Sequence, residues 1–193
     1  MDLDPARSPA GLLMLGHGAG GDVDAPDLVA VRDAARGVGW TVARVTQPYR
    51  RAGRRAPAPA AQLDAAWTAV VADLTARRGL RRLPVVHGGR SSGARVACRC
   101  AGPEAAGVVA LAFPVHPPGR SERSRLDELD AVSVPLLVVQ GERDAFGRPP
   151  EELFGRPGRT LVTVPGADHA LRRDPGAVGA AVASFLARLT LPG

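Results

Sequence analysis

The chain has 193 residues and a formal charge of +6, carried by arginine alone because no lysine occurs in it. A single domain of this length can bury a sheet on both faces, and with aromatics at 4% its core must be built from Ala, Val and Leu. With so much Ala, Gly and Pro beside it, the all-arginine charge reads as coding bias, so no nucleic-acid partner is expected.

The polar start, "MDLDPARSPAG", has no apolar leader, and residues 1–10 read as a flexible arm ahead of one domain over 11–193. Six β-rich runs follow: 11–18, 40–46, 83–88, 107–114, 134–141 and 160–166. Between the first two, Leu28, Val31, Ala35 and Val38 have helical spacing, with Asp24 and Pro26 as the expected N-cap and first-turn pair. Leu63, Trp67, Val70 and Leu74 repeat that period before Gly79. Ala94, Ala97, Cys98 and Ala101 make a narrow small-residue face with Arg95 and Arg99 opposite. Asp174-Pro175 opens a last helix through Val178, Val182, Phe185 and Leu189. Such alternation predicts helices on both faces of a mostly parallel sheet.

No run is long enough to span a membrane, and Cys98 and Cys100, two apart on a helix, cannot bridge without distortion. A reducing, cytoplasmic setting without membrane association is the expectation. Four dispersed histidines with no paired motif suggest no metal site.

Two glycine motifs compete for the chemistry. Gly16-His-Gly18-Ala-Gly-Gly21 fits the letters of the dinucleotide fingerprint. That fingerprint also needs a carboxylate at the end of the second strand, where this chain reads "ARVTQPYRR". The dinucleotide reading is therefore weak.

The second motif, "VVHGGRSSGARVA", places a G-x-S-x-G frame between a strand and a helix. Only Ser91 has glycine two places before and after it, at Gly89 and Gly93; Ser92 would need glycine where Arg90 and Ala94 stand. Asp144 follows the 134–141 run and His169 follows the 160–166 run, giving the chain order Ser, Asp, His. Any one of these is more often a turn or cap residue. Together, in order and each at a strand end, they read as a nucleophile, its orienting acid and its base. The amides of Ala19 and Ser92 are the candidate oxyanion donors. His17, Arg90 and His116 are candidate substrate-binding residues, with bracing of a loop the alternative for His17 and a structural role the alternative for His116. His87 ends a buried strand and reads as a hydrogen-bonded core residue.

The motifs "LGHGAGG", "GGRSSGARVA", "FPVHPPGR", "GERDAFG" and "GADHAL" resemble the small α/β-hydrolases grouped with the NSL histone-acetyltransferase scaffold subunit and its testis-expressed relatives, and are close in style to dienelactone hydrolases. The resemblance covers about residues 11 to 189. It implies a minimal α/β-hydrolase fold, with about six parallel strands in the order 2-1-3-4-5-6 and helices on both faces. The chain departs from the full fold in having too little sequence before residue 11 for two leading strands, and no room for a large lid. The activity implied is serine-dependent hydrolysis of an ester, thioester or related acyl bond, without a cofactor, on a small-molecule acyl substrate. Some relatives are better known as scaffolds, so a non-catalytic binding or scaffold protein is the rival reading. Arginines at 50, 51, 54, 55, 120, 123 and 125 fall in loops expected to leave from the carboxyl edge of the sheet, the edge that presents Ser91. They are either ordinary solvated surface or a rim that favours anionic substrates.

Overall fold

The computed structural model describes residues 1–190; the last three residues of the predicted domain lie outside the described residues. Seven strands form one sheet: β1 (Asp2–Asp4), β2 (Gly11–Gly16), β3 (Trp40–Val45), β4 (Val85–Arg90), β5 (Gly107–Leu111), β6 (Leu136–Gly141) and β7 (Arg159–Val164). The helices are α1 (Pro26–Gly37), the single turn α2 (Pro48–Arg51), α3 (Ala60–Ala76), α4 (Ser92–Cys100), α5 (Leu126–Asp130) and α6 (Pro175–Thr190). Across the sheet the order is β1-β3-β2-β4-β5-β6-β7, and every pair but β1–β3 is parallel. The six parallel strands thus run in the order expected from the sequence.

Strands covered on both faces must be apolar throughout. Within β2, Leu13 and Leu15 turn toward α1 and α6, whereas Leu12 and Met14 face Trp67 and Leu74 of α3. A third cluster packs Ala94, Ala97 and Cys98 of α4 against Val108, Ala110 and Val138, with Leu129 of α5 closing it. The small-residue face of α4 lets that helix lie close to the sheet under the strand that carries the site. Asp174 caps α6 as predicted, its Oδ1 accepting the Ala177 amide at 2.8 Å. Cys98 and Cys100 are both free.

Two expectations give way at the sheet edge. Residues 1–10, read as an arm, are laid along the domain: β1 pairs antiparallel with β3, Leu3 opposite Ala43, and the Ala10 amide bonds Gly39 O at 2.9 Å. The sheet therefore has seven strands rather than six. Asp24 does not cap α1; the N-cap is Ala25, and the Asp24 carboxylate instead pairs with Arg44. Arg44 also holds Asp4 at 2.9 Å, so one guanidinium fastens the first strand and the α1 entry to β3. This edge position lets the guanidinium reach two carboxylates without being buried alone.

His87 on β4 is buried, and its Nδ1 accepts the Trp67 indole N–H at 3.1 Å. Burial pushes its pKa down from 6.5 to about 4, so folding keeps the ring neutral. The unfolded chain takes up a proton near pH 6.5 that the folded chain refuses until about pH 4, so stability falls as pH drops through that window. His87→Gln retains an acceptor for Trp67 but does not titrate. Urea melts should show the parent losing about 2 kcal/mol more than the variant between pH 7 and pH 5. The buried His17, whose pKa burial also lowers, and Asp27, whose pKa burial raises, are common to both proteins and cancel. Equal losses would mean that His87 is protonated inside the fold.

Candidate active site

The turn from β4 into α4 is built by its glycines. Ser91 has φ 52° and ψ −112°, a left-handed conformation that non-glycine residues rarely adopt and that costs about 1–3 kcal/mol. It is held there by its amide, which donates to Leu111 O on β5 at 2.9 Å, and by its carbonyl, which accepts the Arg95 amide at 3.2 Å. A Cβ on Gly89 would lie 2.6 Å from the Gly93 carbonyl carbon, and one on Gly93 would lie 2.5 Å from that of Gly16. Both glycines of the frame are thus required by backbone approaching backbone.

Ser91 Oγ lies 2.9 Å from His169 Nε2. His169 Nδ1 lies 2.9 and 3.1 Å from the two carboxylate oxygens of Asp144. With Nδ1–H donating to the carboxylate, the Nε2 lone pair faces the serine hydroxyl, which donates to it. The three predicted residues are brought together, from the turns after β4, β6 and β7. The Asp144 side chain is wholly buried, while His169 keeps 19% of its side-chain surface. Burial of a carboxylate needs donors, and Asp144 has the Phe146 amide at 2.8 Å and Gln140 Nε2 at 2.9 Å besides the imidazole.

Gln140 went unremarked in the sequence, although a lone polar residue in the apolar strand "LLVVQG" was a visible signal. Fully buried, its NH₂ also lies 3.1 Å from Phe113 O and 2.9 Å from Gly147 O, so two hydrogens are shared among three acceptors and tie the Asp144 loop to the segment after β5. The Phe146 ring packs edge-on against His169 with centroids 4.3 Å apart, which limits rotation of the imidazole.

A cavity of about 480 Å³ opens over these groups, lined by Ser91, Ser92, His169 and Ala19 among others. The Ala19 and Ser92 amides, both from residues that line the cavity, have no hydrogen-bond acceptor among the described residues. Ser92 begins α4, where the N–H groups of a first turn have no partner within the helix.

The three candidate substrate-binding residues do not line this cavity. His17 is fully buried beneath the loop: its Nε2 accepts the Gln47 amide at 2.9 Å, which leaves Nδ1–H to donate to Gly18 O at 2.8 Å. Both nitrogens are spent on bracing. His116 sets Nδ1 3.1 Å from its neighbour's carbonyl, Pro117 O, and rests beside Gly147. Arg90 turns inward. Its Nη2 donates to His169 O at 3.0 Å, and its Nε lies 3.2 Å from Asp27 Oδ2 on α1. Those two atoms attract as charges without hydrogen-bond alignment, so Arg90 links the histidine loop to a buried carboxylate rather than meeting substrate.

The opposite wall holds charges that the sequence reading left on an outer helix face. Arg95 grips Glu128 of α5 with a bond of 2.9 Å from Nε, and Arg99 forks onto Asp64 of α3 at 2.8 and 2.6 Å. Such pairing depends on three helices meeting, which helical periodicity cannot report. Among the described residues, no helix is long and apolar enough to cross a membrane, and no three His, Cys, Asp or Glu side chains converge as a metal site.

The fold is shared widely among solved structures. Est1E from Butyrivibrio proteoclasticus superposes with a TM-score of 0.79 at 17% identity, over 97% of this chain and 92% of that one. A lidless α/β serine hydrolase from Xanthomonas campestris gives 0.77 at 21% identity, covering 99% and 88%. An α/β serine hydrolase homologue from Coxiella burnetii gives 0.78 at 16%, covering 95% and 89%. No curated protein matches the chain in sequence. The alpha/beta hydrolase domain family matches residues 9–186, nearly the whole length, and the chain belongs to it.

Proposed function

We propose that the protein is a serine hydrolase that cleaves an ester or related acyl bond through an acyl-enzyme on Ser91. The observation that carries this reading is the unbroken chain Ser91 Oγ–His169 Nε2–Asp144, each link at 2.9 Å, opening into the cavity. As Ser91 Oγ bonds to the substrate carbonyl carbon, its proton passes to His169 Nε2. Asp144 holds the imidazole in the required tautomer and stabilises the imidazolium. The carbonyl π electrons move onto oxygen, where the Ala19 and Ser92 amides receive the charge. Collapse expels the alcohol or thiol, protonated by His169. Water then attacks the acyl-enzyme with His169 as base, releasing the acid and restoring the serine. The cycle draws on these groups and water alone.

A finer likeness, to the NSL-scaffold and testis-expressed relatives and their dienelactone-hydrolase-like style, rests on the sequence motifs. It would leave a scaffold role open were the triad broken, but each member is present and in contact. The test is the time course of p-nitrophenol release from p-nitrophenyl acetate. An acyl-enzyme predicts turnover, with a burst stoichiometric with protein wherever deacylation is the slower step. Absence of any turnover of activated esters would favour the scaffold.

A further inference from the structure

The charges on the arginine wall of the cavity do not pair off completely. Its charged lining groups other than His169 are Arg95, Arg99 and Arg125, and no carboxylate lines it. Behind the wall, Glu128 engages Arg95 and Arg99, and Asp64 engages Arg99. Two carboxylates thus face three guanidiniums. The residue left over is Arg125, which has no ion-pair or side-chain hydrogen-bond partner among the described residues. Its main chain is pinned, the amide donating to Val115 O at 2.8 Å just before α5. The main chain thus fixes where Arg125 joins the cavity wall, and the residue lines the cavity. Partial burial, with Arg95 and Arg99 nearby and only partly opposed by the charge of Glu128, lowers its pKa, but a guanidinium stays charged at any physiological pH. Of the seven loop arginines considered in the sequence, only Arg125 lines this cavity; Arg54 and Arg55 line a second pocket that adjoins it at Pro57 and Ala58.

We infer that Arg125 is a substrate-recognition residue, and that the preferred substrate is an acyl ester or thioester carrying a carboxylate which Arg125 receives while Ser91 attacks the acyl carbon. This rests on the hydrolase reading above. A planar carboxylate accepts two parallel N–H bonds from a guanidinium, and the free guanidinium supplies them in a cavity whose remaining lining is largely Ala, Pro, Leu and Phe. On the wall formed by Arg95, Arg99 and Arg125, the substrate's carboxylate gives the one unpaired guanidinium its partner.

The test compares the mono-p-nitrophenyl ester of adipic acid with p-nitrophenyl 6-methylheptanoate, in which two methyl groups replace the carboxylate oxygens. The parent protein should favour the adipate ester in kcat/KM, mainly through KM. Arg125→Gln should shrink that preference by about 10- to 100-fold, and Arg125→Lys should keep part of it. Arg78→Gln removes the same charge from an exposed position beyond the far end of α3 and should leave the preference intact. If the neutral ester is turned over but the parent shows no preference, or Arg125→Gln does not change it, the anion site is refuted while the hydrolase stands. If neither ester is cleaved, the hydrolase reading fails and this one falls with it.

Discussion

Replacing Ser91 by Ala should lower kcat for p-nitrophenyl acetate by about 10⁴-fold or more, while Ser92→Ala retains most of the activity. In the proposed mechanism Ser91 supplies the oxygen that bonds to the acyl carbon, and it is the serine whose Oγ reaches His169. Ser92 is placed to contribute a backbone N–H, which alanine keeps. The loss should not be traceable to unfolding. Ser91→Ala keeps the Leu111 and Arg95 backbone bonds that hold the turn, so its urea midpoint should stay close to the parent's. A dead Ser92→Ala beside an active Ser91→Ala would overturn the assignment.

Asp144→Asn should cost on the order of 10⁴-fold in kcat with the fold preserved. The four bonds to this carboxylate come from donors: the His169 ring at both oxygens, the Phe146 amide and Gln140 Nε2. An asparagine NH₂ must therefore face a donor. The least costly relief is for His169 to move its proton from Nδ1 to Nε2, which removes the lone pair that accepts from Ser91. The neighbouring carboxylates should tolerate the same change, because neither reaches the imidazole. Glu142 Oε2 accepts the Gly166 amide at 2.6 Å, and Asp168 Oδ1 accepts the Ala170 amide at 2.9 Å; an amide oxygen can do both. Equal losses in kcat for Glu142→Gln would show that the wrong acid had been chosen.

The parts legible in the sequence were those fixed by local pattern or by steric necessity. Continuous apolar strands announced a sheet covered twice. The spacing of Gly89 and Gly93 singled out Ser91 because a Cβ at either glycine would strike backbone. Chain order then supplied Asp144 and His169. Features set by which surfaces meet across the fold were not legible. The strand Asp2–Asp4 has only three residues, two of them charged, and is held by β3 and Arg44 some forty residues away. Arg90 ends β4 at the carboxyl edge of the sheet, yet its partners are Asp27 and the carbonyl of His169. His17 sits in the cavity loop, but the Gln47 amide and Gly18 O consume both its nitrogens. Gln140 could have been found by asking what a polar side chain does inside an apolar strand.

The most direct measurement is reaction with a fluorophosphonate followed by mapping of the modified peptide. Such a reagent phosphonylates a serine whose hydroxyl is accessible, deprotonated by a histidine as it attacks, and backed by oxyanion donors. One phosphonyl group on Ser91, with labelling strongly slowed in Asp144→Asn, is the result expected of a working triad. A folded protein that stays unlabelled, or that carries the group on Ser92, would contradict it.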